Sequence, residues 1–278
     1  MTPRPDSFLA RAVADARAAS DARAARLPEP ELRALAAAAP PPTGLTAALG
    51  RPGPRSAIGL IAEVKRRSPS AGPIRPDLDP AGLAAAYQLG GASAVSVLTE
   101  PRHFGGSQQD LAAVRAAVDL PVLRKDFVTT AYQVWEARAW GADAVLLIVA
   151  ALGESRLGDL LAVAAEAGLD ALVEVHDRDE AAVAARAGAT LVGVNARDLH
   201  TLAVDLGRFA AIRGDLPAGA VVVAESGIRD RDDVLAVARA GADAVLVGET
   251  LVRAQDPARA VAALLGLPDR QAVTEPRA

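Results

Sequence analysis

Four segments of the chain repeat one local grammar. Leu89-Gly90-Gly91-Ala92-Ser93-Ala94-Val95, Trp140-Gly141-Ala142-Asp143-Ala144-Val145, Ala187-Gly188-Ala189-Thr190-Leu191-Val192 and Ala240-Gly241-Ala242-Asp243-Ala244-Val245 each read as a helix end, a glycine, a small residue and a buried strand. A glycine just past a helix takes the left-handed conformation that closes the last turn, and the chain can then enter a strand within about two to six residues. The strands that follow are nearly continuous in apolar character instead of alternating, the pattern of a parallel sheet covered by helices.

From residue 57 onward, β-branched runs at 57–64, 94–98, 122–124, 144–149, 171–175, 191–194, 221–224 and 244–247 alternate with Ala-rich segments at 80–89, 108–118, 131–140, 156–167, 179–187 and 230–240. Eight such units in roughly 220 residues predict an α/β fold of the (β/α)8 TIM barrel type, which typically takes about 250. An open doubly wound sheet is the alternative, but its Gly-x-Gly-x-x-Gly first turn is absent after Val64. Ahead of the barrel, Phe8, Leu9, Ala12, Val13 and Ala16 at helical spacing predict an amphipathic helix over 7–26, with Ser7 as N-cap and Pro28 and Pro30 at its end. A second short helix at 31–39 runs into Pro40, Pro41 and Pro42, and Gly50, Pro52, Gly53 and Pro54 form a turn-rich entry to the main body. The expected organisation is an N-terminal helical extension, 1–55, on a single catalytic barrel, 56–278.

Composition narrows the function classes. With 51% hydrophobic and 3% aromatic residues, the 278-residue chain builds its core from Ala, Val, Leu and Ile, and disorder is excluded as its main state. Thirty Lys and Arg against 34 Asp and Glu give a net charge of −4, which disfavours a nucleic-acid partner. The absence of cysteine excludes disulfides, thiolate metal sites and a Cys nucleophile, and three scattered histidines leave little for a zinc cluster or a His-based triad. No apolar h-region and no run of eighteen apolar residues supports secretion or a membrane span, and the longest apolar stretch, 144–152, is of strand length. Asp6, Asp15 and Asp21 interleave with Arg11, Arg17, Arg23 and Arg26, against an organelle transit peptide. The expected location is the cytoplasm.

A barrel carries its active site at the C-terminal mouth of its strands, so the polar residues at the ends of the apolar runs are the informative ones. They include Glu63 and Lys65, Thr99 and Glu100, Lys125 and Asp126, Glu174, Asn195 and Arg197, Glu225 and Ser226, and Gly248 and Glu249. Strand alternation sends Glu63 and Lys65 to the same side, above an inward Ile61. Isolated buried charges are costly, so so dense an assembly needs either a full pairing scheme or a charged ligand. Ser226-Gly227 and Gly248-Glu249, with a short helical segment at 250–254, offer backbone amides for a phosphate, and Ser68-Pro69-Ser70 with Gly72 could add hydroxyl donors. His103, His176 and His200 read as loop histidines without a catalytic role, and Trp135 and Trp140 as packing, with Trp140 covering the barrel exterior.

Seven motifs then stand in order: Ile61-Ala62-Glu63-Val64-Lys65-Arg66-Arg67-Ser68-Pro69-Ser70, Ser96-Val97-Leu98-Thr99-Glu100-Pro101, Pro121-Val122-Leu123-Arg124-Lys125-Asp126-Phe127, Leu172-Val173-Glu174-Val175-His176, Gly193-Val194-Asn195-Ala196-Arg197-Asp198-Leu199, Ala224-Glu225-Ser226-Gly227-Ile228 and Val247-Gly248-Glu249-Thr250-Leu251. Together they resemble the indole-3-glycerol-phosphate synthase family over essentially the whole chain, N-terminal helices included. The resemblance implies a lyase of tryptophan biosynthesis. Such an enzyme closes the indole ring of 1-(2-carboxyphenylamino)-1-deoxyribulose 5-phosphate, releasing carbon dioxide and water without metal or organic cofactor.

By matching position the resemblance implies Lys125 as the general acid for the ketone and Glu174 as the base of the later dehydration, with Glu63, Lys65, Asn195 and Glu225 completing the catalytic cluster. Arg197 would face the anthranilate side and Phe127 would join the substrate-binding positions. Ser68, Ser226, Gly227, Gly248 and Glu249 would surround the phosphate. An ammonium buried among other cations is expected to have a lowered pKa, easing proton donation near neutral pH. Which lysine donates at which step stays open at this point.

Two positions depart from the family: Ala196 stands where many members carry a second Asn, and Leu45 where a Phe is frequent. The segment near Leu45, like the face of Phe8 and Val13, is expected to pack over or beside the catalytic mouth. Two other readings are a class I aldolase-like barrel with Lys125 as Schiff-base nucleophile and a non-catalytic barrel that binds a phosphorylated metabolite or a partner enzyme. A phosphoribosylanthranilate isomerase barrel is disfavoured, because that family's catalytic thiol has no counterpart here.

Overall fold

A computed structural model describes residues 7–50, 58–198, 203–205 and 207–268. Eight parallel strands, β1 (Gly59–Val64), β2 (Ala94–Leu98), β3 (Val122–Lys125), β4 (Ala144–Ile148), β5 (Asp170–Val175), β6 (Leu191–Asn195), β7 (Val221–Glu225) and β8 (Ala244–Val247), pair in sequence order and close with β1 against β8. The (β/α)8 barrel is present, and each expected strand lies within two residues of the observed one. The expected boundary at residues 55 and 56 and the reading of His200 lie outside the described residues.

Twelve α-helices accompany the strands among the described residues: α1 (Phe8–Ala24), α2 (Glu29–Ala38), α3 (Leu45–Gly50), α4 (Pro80–Gly90), α5 (Gln108–Ala117), α6 (Ala131–Ala139), α7 (Val149–Glu166), α8 (Arg178–Arg186), α9 (Gly207–Ile212), α10 (Arg231–Arg239), α11 (Glu249–Val252) and α12 (Pro257–Leu265). Caps set most of their starts: Ser7, Asp79, Ser107, Asp177, Asp230 and Asp256 each accept from a backbone N–H in the first turn, and Thr130 and Gln133 form a capping box on α6. Helix α7 begins directly at the end of β4, seven residues before the expected start at 156, with a break at Gly153 (φ 67°). The apolar stretch 144–152 is therefore part strand and part helix, a distinction that apolar character alone does not make. Helices α3, α9 and α12 and a small antiparallel pair, Arg67–Ser68 with Gly72–Pro73, were not expected.

Side-chain alternation divides the core in two. Ile61, Ala94, Leu123, Ala144, Leu146, Leu172, Leu191, Val223, Ala244 and Leu246 fill the barrel interior, while Leu60, Val95, Val122, Val145, Val173, Val192, Val222 and Val245 face the helices. Complete burial of the Val, Leu and Ile side chains among them stabilises by about 1.5–3 kcal/mol each. Arg124 obeys the same rule: it points out of the barrel, where its guanidinium lies 4.2 Å from the Trp140 ring centroid and donates to Gln133 O (2.7 Å) and Asp126 Oδ2 (3.0 Å). Trp140 covers the barrel exterior, as expected.

The N-terminal helices run from one end of the barrel to the other. Helix α1 lies at the C-terminal mouth, with the Phe8 ring 6.1 Å from Phe127. Helix α2 packs on α6, where Arg33 stacks on Trp135 at 4.2 Å. Helix α3 closes the opposite end: Thr46 N donates to Asp170 Oδ2 (2.7 Å) at the start of β5, and Leu49 packs beside Gly59 at the start of β1. Leu45 is thus under the barrel, not beside the mouth, which corrects the expectation for that segment. Its departure from the family bears on the plug, not on substrate.

Candidate active site

The mouth holds a cavity of about 410 Å³. Of the thirteen residues singled out from the sequence, Glu63, Lys65, Ser68, Lys125, Phe127, Glu174, Asn195, Arg197, Ser226, Gly227, Gly248 and Glu249 line it. Glu225 sits behind the wall, buried against Lys125.

The inward positions at the strand ends build a layer of charge. Lys65 Nζ lies 2.5 Å from Glu63 Oε1, and Lys125 Nζ lies 3.3 Å from Glu63 Oε2 and 3.5 Å from Glu225 Oε2. Burial acts to raise the Glu63 carboxyl, but Lys65 and Lys125 outweigh it and hold the group at about 2. Glu225 is pushed up to about 8, mainly by burial, with Lys125 opposing and its oxygens without a hydrogen-bond partner among the described residues. Burial also raises Glu174, yet His176, Lys125 and Asn195 bring its net shift below the ordinary value.

Lys125 reverses an expectation. Burial alone would lower its pKa, but Glu63, Glu225 and Glu174 surround it and raise it above the usual lysine value. Its chain neighbour Arg124 points to the helix layer, and the cation that shares its site, Lys65, lies across the Glu63 carboxylate, so acidic groups dominate its surroundings. The lysine is held as an ammonium.

The expected anion end is formed by two loops. Ser226, at φ 67°, is the one non-glycine residue at positive φ among the described residues, and Gly227 follows at 83°. Such a conformation is costly for a residue with a side chain and persists where surrounding structure enforces it. Thr250 Oγ1 donates to Ile228 O at 2.9 Å and ties this loop to the start of α11. Glu249 turns its carboxylate to Arg253 (2.9 Å), which relieves its opposition to an anion. Ser68 Oγ accepts from Ala71 N (3.1 Å) and orders the loop after β1. Arg197 N donates to Asn195 Oδ1 at 3.0 Å.

The apolar wall was less visible in the sequence. Phe8, Leu98, Phe104, Phe127, Leu146 and Ile148 line the same cavity. Phe104 is placed by Glu100, whose carboxylate accepts from the backbone N–H groups of Arg102, His103 and Phe104. Arg102 pairs with Asp15, and His103 meets the Phe8 ring edge-to-face at 5.0 Å, so this loop and α1 hold each other. Glu100 was noted in the sequence as a strand-end residue, but Phe104 carried no signal of its own.

No helix among the described residues is long and apolar enough to cross a membrane. Two solved structures share the fold. Thiamine phosphate pyrophosphorylase from Pyrococcus furiosus matches with TM-score 0.57 at 20% identity, covering 76% of this chain and 95% of that one. N-acetylmannosamine-6-phosphate 2-epimerase from Clostridium perfringens matches with TM-score 0.55 at 16% identity, covering 69% and 86%. Sequence relatives are nearer: indole-3-glycerol phosphate synthases of Mycobacterium ulcerans (strain Agy99) and Mycobacterium avium (strain 104) are 55% and 56% identical over 261 residues, 94% of each chain. The family model for indole-3-glycerol phosphate synthase matches residues 9–264. The chain belongs to the indole-3-glycerol phosphate synthase family, lyases of tryptophan biosynthesis that catalyse a decarboxylative ring closure.

Proposed function

We propose that the family's reaction runs on Lys125 as general acid and Glu174 as base, with Glu63, Lys65, Asn195 and Glu225 as the supporting cluster. The observation that carries this reading is the Lys125 ammonium, 3.3 Å from the Glu63 carboxylate and 3.5 Å from the Glu225 carboxyl, at the floor of a cavity whose other side is apolar. The carboxyphenyl ring fits the wall of Phe8, Phe104, Phe127, Leu146 and Ile148, with Arg197 toward its carboxylate. The phosphate fits between Ser226-Gly227 and the Gly248-Glu249 turn, with Ser68 nearby. The reading further takes the phosphorylated small molecule as partner, excludes nucleic acid on the net charge of −4, and assigns the enzyme to the cytoplasm.

The ring carbon bearing the carboxylate attacks the ketone, and the carbonyl oxygen takes a proton from Lys125 as the new carbon–carbon bond forms. An ammonium of raised pKa remains a competent donor here, because the alkoxide it meets is more basic still. Loss of carbon dioxide leaves its electron pair in the ring and restores aromaticity. The hydroxyl then leaves as water, protonated by an ammonium of the Lys65 and Lys125 pair, while Glu174 removes a proton from the carbon next to nitrogen. A Schiff-base reading needs a neutral amine, which the carboxylates around Lys125 oppose. Formation of the indole chromophore from the carboxyphenylamino substrate by wild type, lost in Lys125→Met and Glu174→Gln, tests the assignment. Wild-type turnover in either variant would overturn that residue's role.

A further inference from the structure

His176 was set aside in the sequence as an ordinary loop histidine. The structure keeps it in the loop after β5 but buries it between two carboxylates. It stands one residue past the end of β5, two positions after Glu174, and is buried outside the set of side chains that line the cavity. Its Nε2 lies 3.3 Å from Glu174 Oε1, and its Nδ1 lies 3.0 Å from Glu180 Oε2. The same Glu180 oxygen accepts from the His176 backbone N–H at 2.7 Å. Glu180 is fixed in turn as the third residue of α8, its own N–H donating to the N-cap Asp177 at 2.9 Å.

A carboxylate therefore faces each ring nitrogen. A neutral imidazole carries one N–H and one lone pair, so either tautomer would point a lone pair at one of the two carboxylates. The imidazolium alone places positive charge against both, as an aligned hydrogen bond to Glu180 and as an ion pair at 3.3 Å, without hydrogen-bond alignment, to Glu174.

We infer that His176 is a positioning residue for the reaction: a buried imidazolium, anchored by Glu180, that fixes the Glu174 carboxylate at the cavity edge and keeps it ionised for proton abstraction. The inference rests on the reading of Glu174 as the base. Burial would lower the imidazole pKa, but Glu174 and Glu180 outweigh it and push it up to about 10. The groups facing this pair from the surrounding elements are Glu180 on α8, Lys125 on β3 and Glu225 on β7. Lys125 supports the ionised Glu174, and the His176 charge opposes the rise at Glu225. The sequence hid this role because the dyad needs the first turn of α8 folded back onto the strand end.

The test compares kcat and KM against pH for the full-length wild type, His176→Gln, Glu180→Gln and Glu174→Gln. His176→Gln keeps a hydrogen-bond donor near Glu174 but removes the charge. The acid limb of its kcat profile should move up by about one pH unit, so kcat at pH values on that limb should fall by about tenfold and recover toward pH 7, with KM within about twofold. Glu180→Gln weakens the imidazolium without touching Glu174 and should move the limb the same way by less; it carries the test where His176→Gln fails to fold. An unmoved acid limb in the folded variants, with kcat lowered equally at every pH in step with the thermal midpoint, would make His176 a structural brace and overturn the inference. Wild-type turnover in Glu174→Gln would instead overturn the base assignment, and the inference with it.

Discussion

A methyl group on Gly193 would lie 1.9 Å from Oε1 of Glu225, so the carboxyl at the end of β7 occupies the space that a side chain on β6 would fill. Gly248 stands in the same relation to the first strand, its absent Cβ 2.2 Å from Glu63 Oε1 and 2.8 Å from Lys65 Nζ. The acidic layer exists because inward positions beside it are empty. Gly193→Ala should displace Glu225 and cost about 1–3 kcal/mol, the range of core overpacking. Its kcat should fall more than tenfold, and shortening the neighbour in Gly193→Ala/Glu225→Asp should recover thermal midpoint. A Gly193→Ala enzyme with wild-type midpoint and turnover would show that the layer can rearrange freely.

Lys125→Met keeps the volume of the stem and removes the proton. Turnover should fall by at least about a hundredfold, the low end for a positioned general acid. Circular dichroism should report the same secondary structure as wild type. Near-wild-type turnover would remove Lys125 from the proposed mechanism.

The pH dependence of stability has opposite signs at the two buried glutamates. Glu225 has its folded pKa raised to about 8, so its contribution is present below the ordinary value of 4.5 and is lost as pH rises through about 8. Glu63 has its folded pKa lowered to about 2, so its contribution is present above 4.5 and is lost as pH falls toward 2. Glu225→Gln imitates the protonated form. Its thermal midpoint should gain on that of wild type between about pH 5 and pH 9. A constant difference across that window would place the Glu225 titration elsewhere.

A sulfate or phosphate should bind between Ser226-Gly227 and the turn at Gly248, Glu249 and Thr250. Crystals soaked in sulfate give the direct reading, and inorganic phosphate should compete with substrate. Anion density confined to the opposite end of the barrel, with none at these loops under saturating ligand, would contradict the assignment.

The barrel was legible because its repeat joins a helix-ending glycine to a buried strand, and two levels of structure then agree. The charged layer was legible because Glu63, Lys125, Glu174 and Glu225 interrupt runs that are otherwise apolar. Reading the sign of the Lys125 environment required knowing which way its neighbours point: Arg124 is adjacent in sequence and on the other side of the sheet. Phe8 and Phe104 reach the site from outside the strands, so no strand pattern announces them. Helix α3 spans only Leu45–Gly50, too short for a periodic signal to show which end of the barrel it closes.

That geometry separates two roles within the N-terminal extension. Phe8 on α1 lines the cavity and meets Phe127, whereas Leu49 on α3 is buried under the strands at the far end. Phe8→Ala opens the apolar wall to water and should raise KM by about fivefold to thirtyfold, from the loss of roughly 1–2 kcal/mol of contact with the substrate ring. Its thermal midpoint should change little, because the side chain is half-buried in the free enzyme. Leu49→Ala leaves a void in the plug and should destabilise by about 2–5 kcal/mol while KM stays within twofold of wild type. Measuring KM and thermal midpoint on both variants checks the division. A rise in KM for Leu49→Ala equal to that for Phe8→Ala would show that the two ends of the barrel are coupled through the extension.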